Sequence, residues 1–297
     1  MVEKKRGICQ NHFMFSDTHF HFKMMTEERG VDGLDTLTRL AQRDCFFGLD
    51  IGTRAGDLEG RRQAVEKCIA AMPDPLLADK ARSFMYFSAG IWPDVDSIKD
   101  RQNQMKILRD SVTPDVHAIG ECGLDHHWNP SGEDGRCEED FDQQVYQGER
   151  ELFQAQIELA RELALPVIVH SRDAFEDTLD CIKNCGYDNG IIHCYSYGIE
   201  EARAFLDRGW YIALGGGITY TKKSKLEQME ALIRYIPSDR LLTETDAPYL
   251  APVPFRGQAN SPVLVEHVFN YLAQVRGLTA QDLSTLVDEN IRRLFKL

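Results

Sequence analysis

The sequence alternates about eight short apolar segments with longer stretches of helical periodicity, and this alternation constrains the fold more than any other feature. Such alternation is typical of an α/β protein with a parallel sheet. Helical periodicity is clearest in Glu149–Leu163, Ile199–Arg208 and Lys225–Tyr235. Eight strand–helix units predict a closed (β/α)₈ TIM barrel. The predicted strands are Met14–Asp17, Cys45–Ile51, Phe84–Ala89, His117–Glu121, Pro166–His170, Gly190–His193, Trp210–Leu214 and Arg240–Glu244.

The length of 297 residues fits one barrel, so we predict a single domain over residues 1–297. Asn129–Asp142 is rich in Gly, Pro and acidic residues and lacks periodicity, which predicts a long loop inside one unit. No apolar run reaches the length of a membrane helix, and the N-terminus lacks the apolar region of a signal peptide. We therefore predict a cytoplasmic protein, with a nuclear or organellar location left open, and no membrane or obligate protein partner.

The charge and the cysteines exclude some classes of protein. The eight cysteines are scattered without a C-x-x-C pair, so reduced thiols are expected rather than a disulfide framework or a zinc ribbon. Asp and Glu outnumber Lys and Arg by 47 to 34, giving a net charge of −13. This charge repels polyanions and argues against an extended groove for duplex nucleic acid. A nucleic-acid substrate would have to be attracted by metal ions and a local basic patch.

His19 and His21 form an H-x-H motif at the end of the first predicted strand. Side chains two residues apart lie on the same face of a strand, so both imidazoles can reach one metal ion. The motif alone could equally be a pair of surface histidines, because short motifs recur by chance.

Further ligand types stand at the ends of other predicted strands: Glu121, His170, His193 and Asp246. The carboxyl ends of barrel strands converge at one mouth, where barrel enzymes place their active sites. Imidazole and carboxylate donors without cysteine suit Zn²⁺, Mn²⁺, Fe²⁺ or Ni²⁺, whereas Mg²⁺ would favour the carboxylates and retain waters. The sequence therefore predicts a metal centre of open metal identity at this mouth.

The chain resembles TatD-like metal-dependent hydrolases over nearly its whole length. The resemblance is carried by the blocks SDTHFH, IGECGLD, LPVIVHSRDA, IIHCYS, LLTETDAPYL, RGQANSP and NIRRLF. It implies two divalent ions (Zn, Mn or Mg). By the same resemblance, the first ion is bound by His19 and His21, with Glu121 bridging and Asp246 completing its site, and the second by His170 and His193.

The resemblance also implies a function, which is metal-assisted hydrolysis of phosphodiester bonds with DNA as the substrate. Single-stranded ends and 3′→5′ polarity are the expected specificity. An alternative is a hydrolase of another small ester, amide or phosphate, because one barrel mouth can host many chemistries. An alternative from another class is a non-catalytic scaffold that binds proteins, although such a chain would have no physical need for six metal-binding side chains.

Two carboxylates, Asp246 and Glu121, are the predicted catalytic residues. A carboxylate that contacts both a metal and its water can accept the proton as the water attacks, which gives Asp246 a second role. Glu244 lies two residues earlier, on the same side of the strand but one layer deeper. We expect Glu244 to be a buried hydrogen-bonding partner of the ligands rather than a ligand itself.

Five residues are the predicted substrate contacts. Arg172 and Arg256 carry guanidinium groups that match phosphate oxygens, although either could form a salt bridge within its loop. Lys222 and Lys223 belong to a basic cluster after the seventh strand that could instead be a solvated helix start. Trp92 stands where the family commonly has histidine in a G-x-H-P motif, and it could stack on a base or sugar.

Overall fold

The computed structural model describes residues 15–127 and 142–297 of the chain. Eight parallel strands form one sheet in the order β1 to β8, with helices between them, as the sequence predicts for a (β/α)₈ barrel. Each strand pairs with the next one along the chain. The strands are β1 Asp17–Phe20, β2 Gly48–Asp50, β3 Met85–Ala89, β4 Val116–Asp125, β5 Val167–Arg172, β6 Gly190–Ile192, β7 Tyr211–Leu214 and β8 Leu241–Thr243.

The predicted strand boundaries are wrong at several ends. The first strand was predicted at Met14–Asp17, but its ladder with β2 begins at Asp17 and ends at Phe20. β4 continues to Asp125 because its last residues pair with β5 up to Arg172. Several other strands are a few residues shorter than predicted, because apolar side chains continue into the buried connections beyond the ladder. The predicted loop Asn129–Asp142 lies outside the described residues, except for Asp142.

The helices cover the outside of the barrel. The long helix α7 shows why they form: Asp142 caps it by accepting a hydrogen bond from Val145 N at 2.7 Å, and its buried residues Leu152, Gln156 and Ala160 recur every four positions. The α-helices are α1 Phe22–Glu27, α2 Gly33–Gln42, α3 Leu58–Ala70, α4 Pro75–Phe84, α5 Val95–Lys99, α6 Arg101–Ser111, α7 Gln143–Leu163, α8 Phe175–Cys185, α9 Ile199–Leu206, α10 Leu226–Tyr235, α11 Val265–Arg276 and α12 Ala280–Phe295.

The apolar core lies between the sheet and the helices. Val167, Ile168 and Val169 of β5 are all fully buried, as expected for a parallel strand covered on both faces. A second cluster, which includes Phe22 and Leu37, fills the space among α1 to α4. The described cysteines (Cys45, Cys68, Cys122, Cys181, Cys185 and Cys194) are free thiols, as predicted. None of the helices in residues 15–127 and 142–297 has the length and hydropathy that crossing a membrane requires.

The barrel closes between β8 and β1, where side-chain hydroxyls supply much of the bonding. Thr18 Oγ1 donates to Thr243 O at 3.1 Å, and Thr243 Oγ1 donates to Ser16 O at 3.1 Å. Thr245 donates to the Asp17 carboxylate twice, from Oγ1 at 2.6 Å and from its backbone N at 3.0 Å. All of these groups are buried, so each bond replaces one that water would otherwise provide.

Beyond this seam, two backbone hydrogen bonds join the ends of β1 and β8 at the mouth. Asp246 N donates to His19 O at 2.9 Å, and His21 N donates to Ala247 O at 2.7 Å. The seam therefore holds the end of β1 against the segment that follows β8, at residues that the sequence predicts as metal ligands.

The last helix is tied to the segment before β1 through a buried carboxyl group. Asp288 of α12 is 1% exposed and accepts a hydrogen bond from Ser16 Oγ at 2.5 Å. Burial raises the pKa of Asp288 to about 6, against the lowering effects of the Ser16 hydrogen bond and of Arg292. Because the unfolded chain releases this proton near pH 3.8, raising the pH between the two values disfavours folding.

We therefore predict that Asp288→Asn gains stability over the wild type as the pH rises. Asparagine keeps the acceptor for Ser16 but cannot ionise, so its advantage in the free energy of unfolding should grow by about 2 kcal/mol between about pH 4.5 and 7.5. Urea denaturation of the metal-free protein at both pH values measures this. Glu289→Gln, which removes one exposed charge from the same helix, is the control. An advantage of Asp288→Asn that does not change with pH would contradict the prediction.

Candidate metal centre

The structure brings the six predicted ligands together at the carboxyl end of the barrel. His19 lies in β1, Glu121 in β4 and His170 in β5. His21 and His193 directly follow β1 and β6, and Asp246 lies shortly after the end of β8. The cluster is shielded from solvent: the side chain of His19 is fully buried, and that of His170 is 15% exposed. The full set is His19, His21, Glu121, His170, His193 and Asp246.

The Glu121 carboxylate lies at the centre of this cluster, with one oxygen facing each pair of histidines. Oε2 is 3.4 Å from His19 Nε2 and 3.7 Å from His21 Nε2. Oε1 is 3.0 Å from His170 Nδ1 and 2.8 Å from His193 Nε2. A carboxylate in this position can contact two neighbouring cations, one through each oxygen.

Asp246 completes the half of the cluster formed by β1. Its Oδ1 is 3.6 Å from both His19 Nε2 and His21 Nε2. Its backbone has φ of 56°, in the left-handed region that few residues other than glycine adopt. Hydrogen bonds of its N to His19 O and of its O with Tyr249 N hold this conformation, so the local strain is imposed by the mouth of the barrel.

The contacts between the histidines show that the residues fit a bound cation. Nε2 of His19 and Nε2 of His21 are 3.3 Å apart, as are His170 Nδ1 and His193 Nε2. Two nitrogen lone pairs at this distance repel unless a proton or a cation lies with them. His19, His21 and Glu121 form one group of donor atoms within 4.8 Å of one another, and Glu121, His170 and His193 form another. The cluster can therefore hold metal.

The histidines of the cluster also balance the charge of its carboxylates. Burial raises the pKa of Glu121, but His193 and His19 outweigh it and hold this pKa well below its usual range. Burial lowers the pKa of His170, but its contacts with Asp125 and Glu121 raise it to about 8. A cation that binds here would compete with protons for these ring nitrogens.

Two of the rings are oriented by hydrogen-bonding partners behind them. Nδ1 of His21 is 3.3 Å from Ile51 O, and Nε2 of His170 is 3.1 Å from Asp125 Oδ2. Such partners fix which ring nitrogen faces the metal and raise its basicity. Asp125 was not predicted from the sequence, although its position four residues after Glu121 on the same strand places it on the same face and could have revealed it.

Glu244 lies where the sequence predicts, buried beneath the cluster. Its Oε1 accepts a hydrogen bond from Cys194 N at 2.5 Å and is 3.6 Å from His193 Nδ1. Its carboxylate also belongs to a group of donor atoms with His19 and His193, all within 4.8 Å of one another. Cys194 has φ of 45°, so the Glu244 contact also supports a strained turn at the end of β6.

A buried ion pair beneath the cluster was not predicted from the sequence. Arg61 Nη1 lies 2.6 Å from Asp50 Oδ2, and Arg61 Nη2 donates to Ser88 O at 2.6 Å. Asp50 Oδ1 accepts from Phe22 N, and Ser88 Oγ donates to Gly120 O. Phe22 follows His21 and Gly120 precedes Glu121 in the chain, so the network supports the backbone beside two predicted ligands.

The predicted substrate contacts lie on connections that leave the mouth. The ring of Trp92 meets His170 edge to face, with 5.6 Å between their centroids. Arg172 ends β5, and the guanidinium of Arg256 lies 4.5 Å from the centroid of the Tyr220 ring. Lys222 and Lys223 are exposed after β7. Of these residues, the structure places Trp92 in direct contact with the cluster.

The chain matches known proteins over the same residues that form this barrel. A family model described as TatD related DNase matches residues 16–296. A metal-dependent hydrolase of Escherichia coli, YcfH, is 34% identical over 289 residues, which is 95% of each protein. A Rahnella protein named 3'-5' ssDNA/RNA exonuclease TatD is 33% identical over 227 residues, or 74% of this chain and 81% of that protein.

A solved structure agrees with these matches. The crystal structure of YjjV, a TatD homologue from Escherichia coli, superposes with a TM-score of 0.74 at 26% identity and covers 95% of this chain and 98% of that one. The chain therefore belongs to the TatD-related DNase family of metal-dependent hydrolases.

Proposed function

We propose that this protein is a deoxyribonuclease that trims single-stranded DNA from its ends with two divalent ions. The observation that carries the proposal is the position of Glu121, which presents one carboxylate oxygen to each of two histidine pairs. His19, His21 and Asp246 would hold one ion, and His170 and His193 the other. When bound, such ions supply Lewis-acid activation of water and neutralise the charge of the phosphodiester.

Asp246 is the proposed proton acceptor. Burial raises its pKa, but the hydrogen bond with His21 and the charge of His19 lower it below its usual value, so the carboxylate is ionised at neutral pH. Its side chain is 14% exposed, so solvent and substrate can reach it. Glu121, which is 5% exposed and contacted by four rings, is held in place and serves to position both halves of the centre.

Several groups around the mouth support a nucleic-acid substrate. Trp92 offers an aromatic ring beside His170 for a base, and Arg172 and Arg256 offer guanidinium groups for phosphates. Lys222 and Lys223 add positive charge to a chain of net charge −13. The 3′→5′ polarity is taken from the family resemblance and agrees with the name of the Rahnella relative. A cytoplasmic location and a single domain remain predictions.

Metal content tests the bridging role of Glu121. The wild type, reconstituted with Mn²⁺ or Zn²⁺, should hold about two ions per chain, and Glu121→Gln should hold fewer than about one, because an amide is a weaker ligand for both positions. Elemental analysis after gel filtration measures this. Asp288→Asn, which alters a buried carboxyl group far along the chain, should retain the wild-type content. If Glu121→Gln binds as much metal as the wild type, the proposed bridging role of Glu121 is wrong.

Asp246→Asn tests the proton acceptor. The variant keeps the shape of the side chain but not its basicity, so kcat should fall by a factor of about 10² to 10⁴ with either DNA or bis(p-nitrophenyl) phosphate. The thermal unfolding midpoint and the metal content report whether the site is intact. Turnover at the wild-type rate in a fully metallated variant would exclude Asp246 from this role.

The form of the DNA tests the end specificity. With Mg²⁺ or Mn²⁺, a labelled linear single strand should be shortened progressively, because a flexible end can enter the mouth, whereas a blunt duplex is repelled by the acidic surface. A closed single-stranded circle should resist cleavage.

Rapid cutting of the circle would show an endonuclease. If all three substrates persist while an ester or amide is hydrolysed, the protein is a small-substrate hydrolase. Inertness towards every substrate would favour a protein-binding scaffold.

A further inference from the structure

A pocket of about 510 Å³ opens beside the candidate metal centre. Pro248 and Tyr249, which follow Asp246 in the chain, form part of its wall. Tyr249 N donates to Asp246 O at 2.8 Å, and the Tyr249 ring lies 6.4 Å from the His21 ring, centroid to centroid. The pocket therefore shares a wall with the metal centre, and its volume is within the range of pockets that bind small ligands.

The pocket is distinguished by two arginines, Arg29 and Arg256, that form no ion pair with an acid in the described part of the chain. Elsewhere in this acidic chain many arginines form close ion pairs, such as Arg208 with Asp188 at 2.7 Å. Within residues 15–127 and 142–297, neither Arg29 nor Arg256 has a carboxylate within ion-pair distance, and a tyrosine ring lies beside each guanidinium. Two exposed guanidinium groups without counter-charges make this pocket attractive to an anion.

The aromatic and apolar groups of the pocket add a second kind of contact. The Arg256 guanidinium lies 4.5 Å from the Tyr220 ring centroid, whereas Arg29 is 6.0 Å from that of Tyr249 and so does not cover this ring closely. Tyr249 is 42% exposed, and its neighbour Leu250 is 39% exposed. An exposed ring beside free guanidinium groups is the combination that binds a base together with its phosphate.

We propose that this pocket binds a second nucleotide of a single DNA strand, next to the nucleotide whose phosphodiester lies at the metal centre. Its base packs on the exposed ring of Tyr249, and its phosphate lies between Arg256 and Arg29. A paired duplex cannot present a base in this way, because its bases are stacked on each other. The assignment rests on the proposed nuclease function.

The test measures how affinity depends on the length of the strand. In the wild type, KM should fall from a dinucleotide to a tetranucleotide of single-stranded DNA, because the longer strand fills the pocket. Arg29→Gln and Tyr249→Leu should each raise KM for the tetranucleotide by about tenfold and flatten the dependence on length, with a smaller change in kcat. Tyr249→Phe should retain the wild-type KM, because stacking needs the ring and not the hydroxyl.

A control pair of an arginine and a tyrosine is available outside the pocket, on α9 and α10. Arg203 lies 5.9 Å from the Tyr235 ring centroid, and Tyr235 is 37% exposed, so the pair has a similar spacing of guanidinium and ring, although Arg203 also forms an ion pair with Glu200. Arg203→Gln and Tyr235→Leu should keep the length dependence of the wild type. If Arg29→Gln and Tyr249→Leu also keep it while DNA is cleaved, the pocket assignment is overturned and the nuclease function stands.

A direct binding measurement separates the pocket from the reaction. Fluorescence anisotropy of a labelled tetranucleotide with the metal-loaded protein should show weaker binding for Arg29→Gln and Tyr249→Leu than for the control pair. This result would support the pocket even if the wild type failed to cleave DNA, an outcome that would reject the nuclease function alone. Equal binding by all variants would reject the pocket.

Discussion

The buried carboxylate of Glu121 is the group on which the functional end of the barrel depends. Removing an ionised carboxylate from water is costly, so its charge must be met by neighbouring groups. Four imidazoles contact its two oxygens, and they come from β1 and the residue that follows it, from β5, and from the residue that follows β6. One carboxylate needs a single positive charge for balance, so four imidazoles arranged in two pairs are more than charge balance requires. Metal binding explains this arrangement physically, because each pair of rings meets at a distance that requires a shared proton or cation.

Precise positioning of these donors comes from bonds outside the cluster. The hydroxyls of Thr18, Thr243 and Thr245 close the barrel, and the seam continues directly into the backbone bonds of His19 and Asp246. Beneath the cluster, Arg61 compensates a buried carboxylate and holds the carbonyl of a neighbouring strand. Rigid strands thus carry the ligands, whereas the exposed connections carry the groups assigned to the substrate. This division lets the mouth of the barrel change its substrate without disturbing the metal centre.

The distribution of charge limits which substrates reach the mouth. With a net charge of −13, the surface as a whole repels a polyanion. Many arginines are neutralised by acids on adjacent helices, as in the pair of Arg82 with Glu66. Arg29 and Arg256 instead face a pocket beside the metal centre. Attraction is therefore local and short in range, which suits a flexible strand end better than a long duplex.

The sequence by itself determined the eight-stranded barrel and placed the six predicted ligands at the ends of its strands, because alternating periodicity and the order of strands are local properties. Strand ends were less certain, and β1 was predicted too early because apolar residues continue outside the ladder. Asp125, the pair of Asp50 with Arg61 and the pocket beside β8 were decided by the tertiary structure. Their partners are distant along the chain, as for Thr18 and Thr243, which are 225 residues apart. Periodicity tells which face a side chain occupies, but only closure of the barrel selects the group that it meets there.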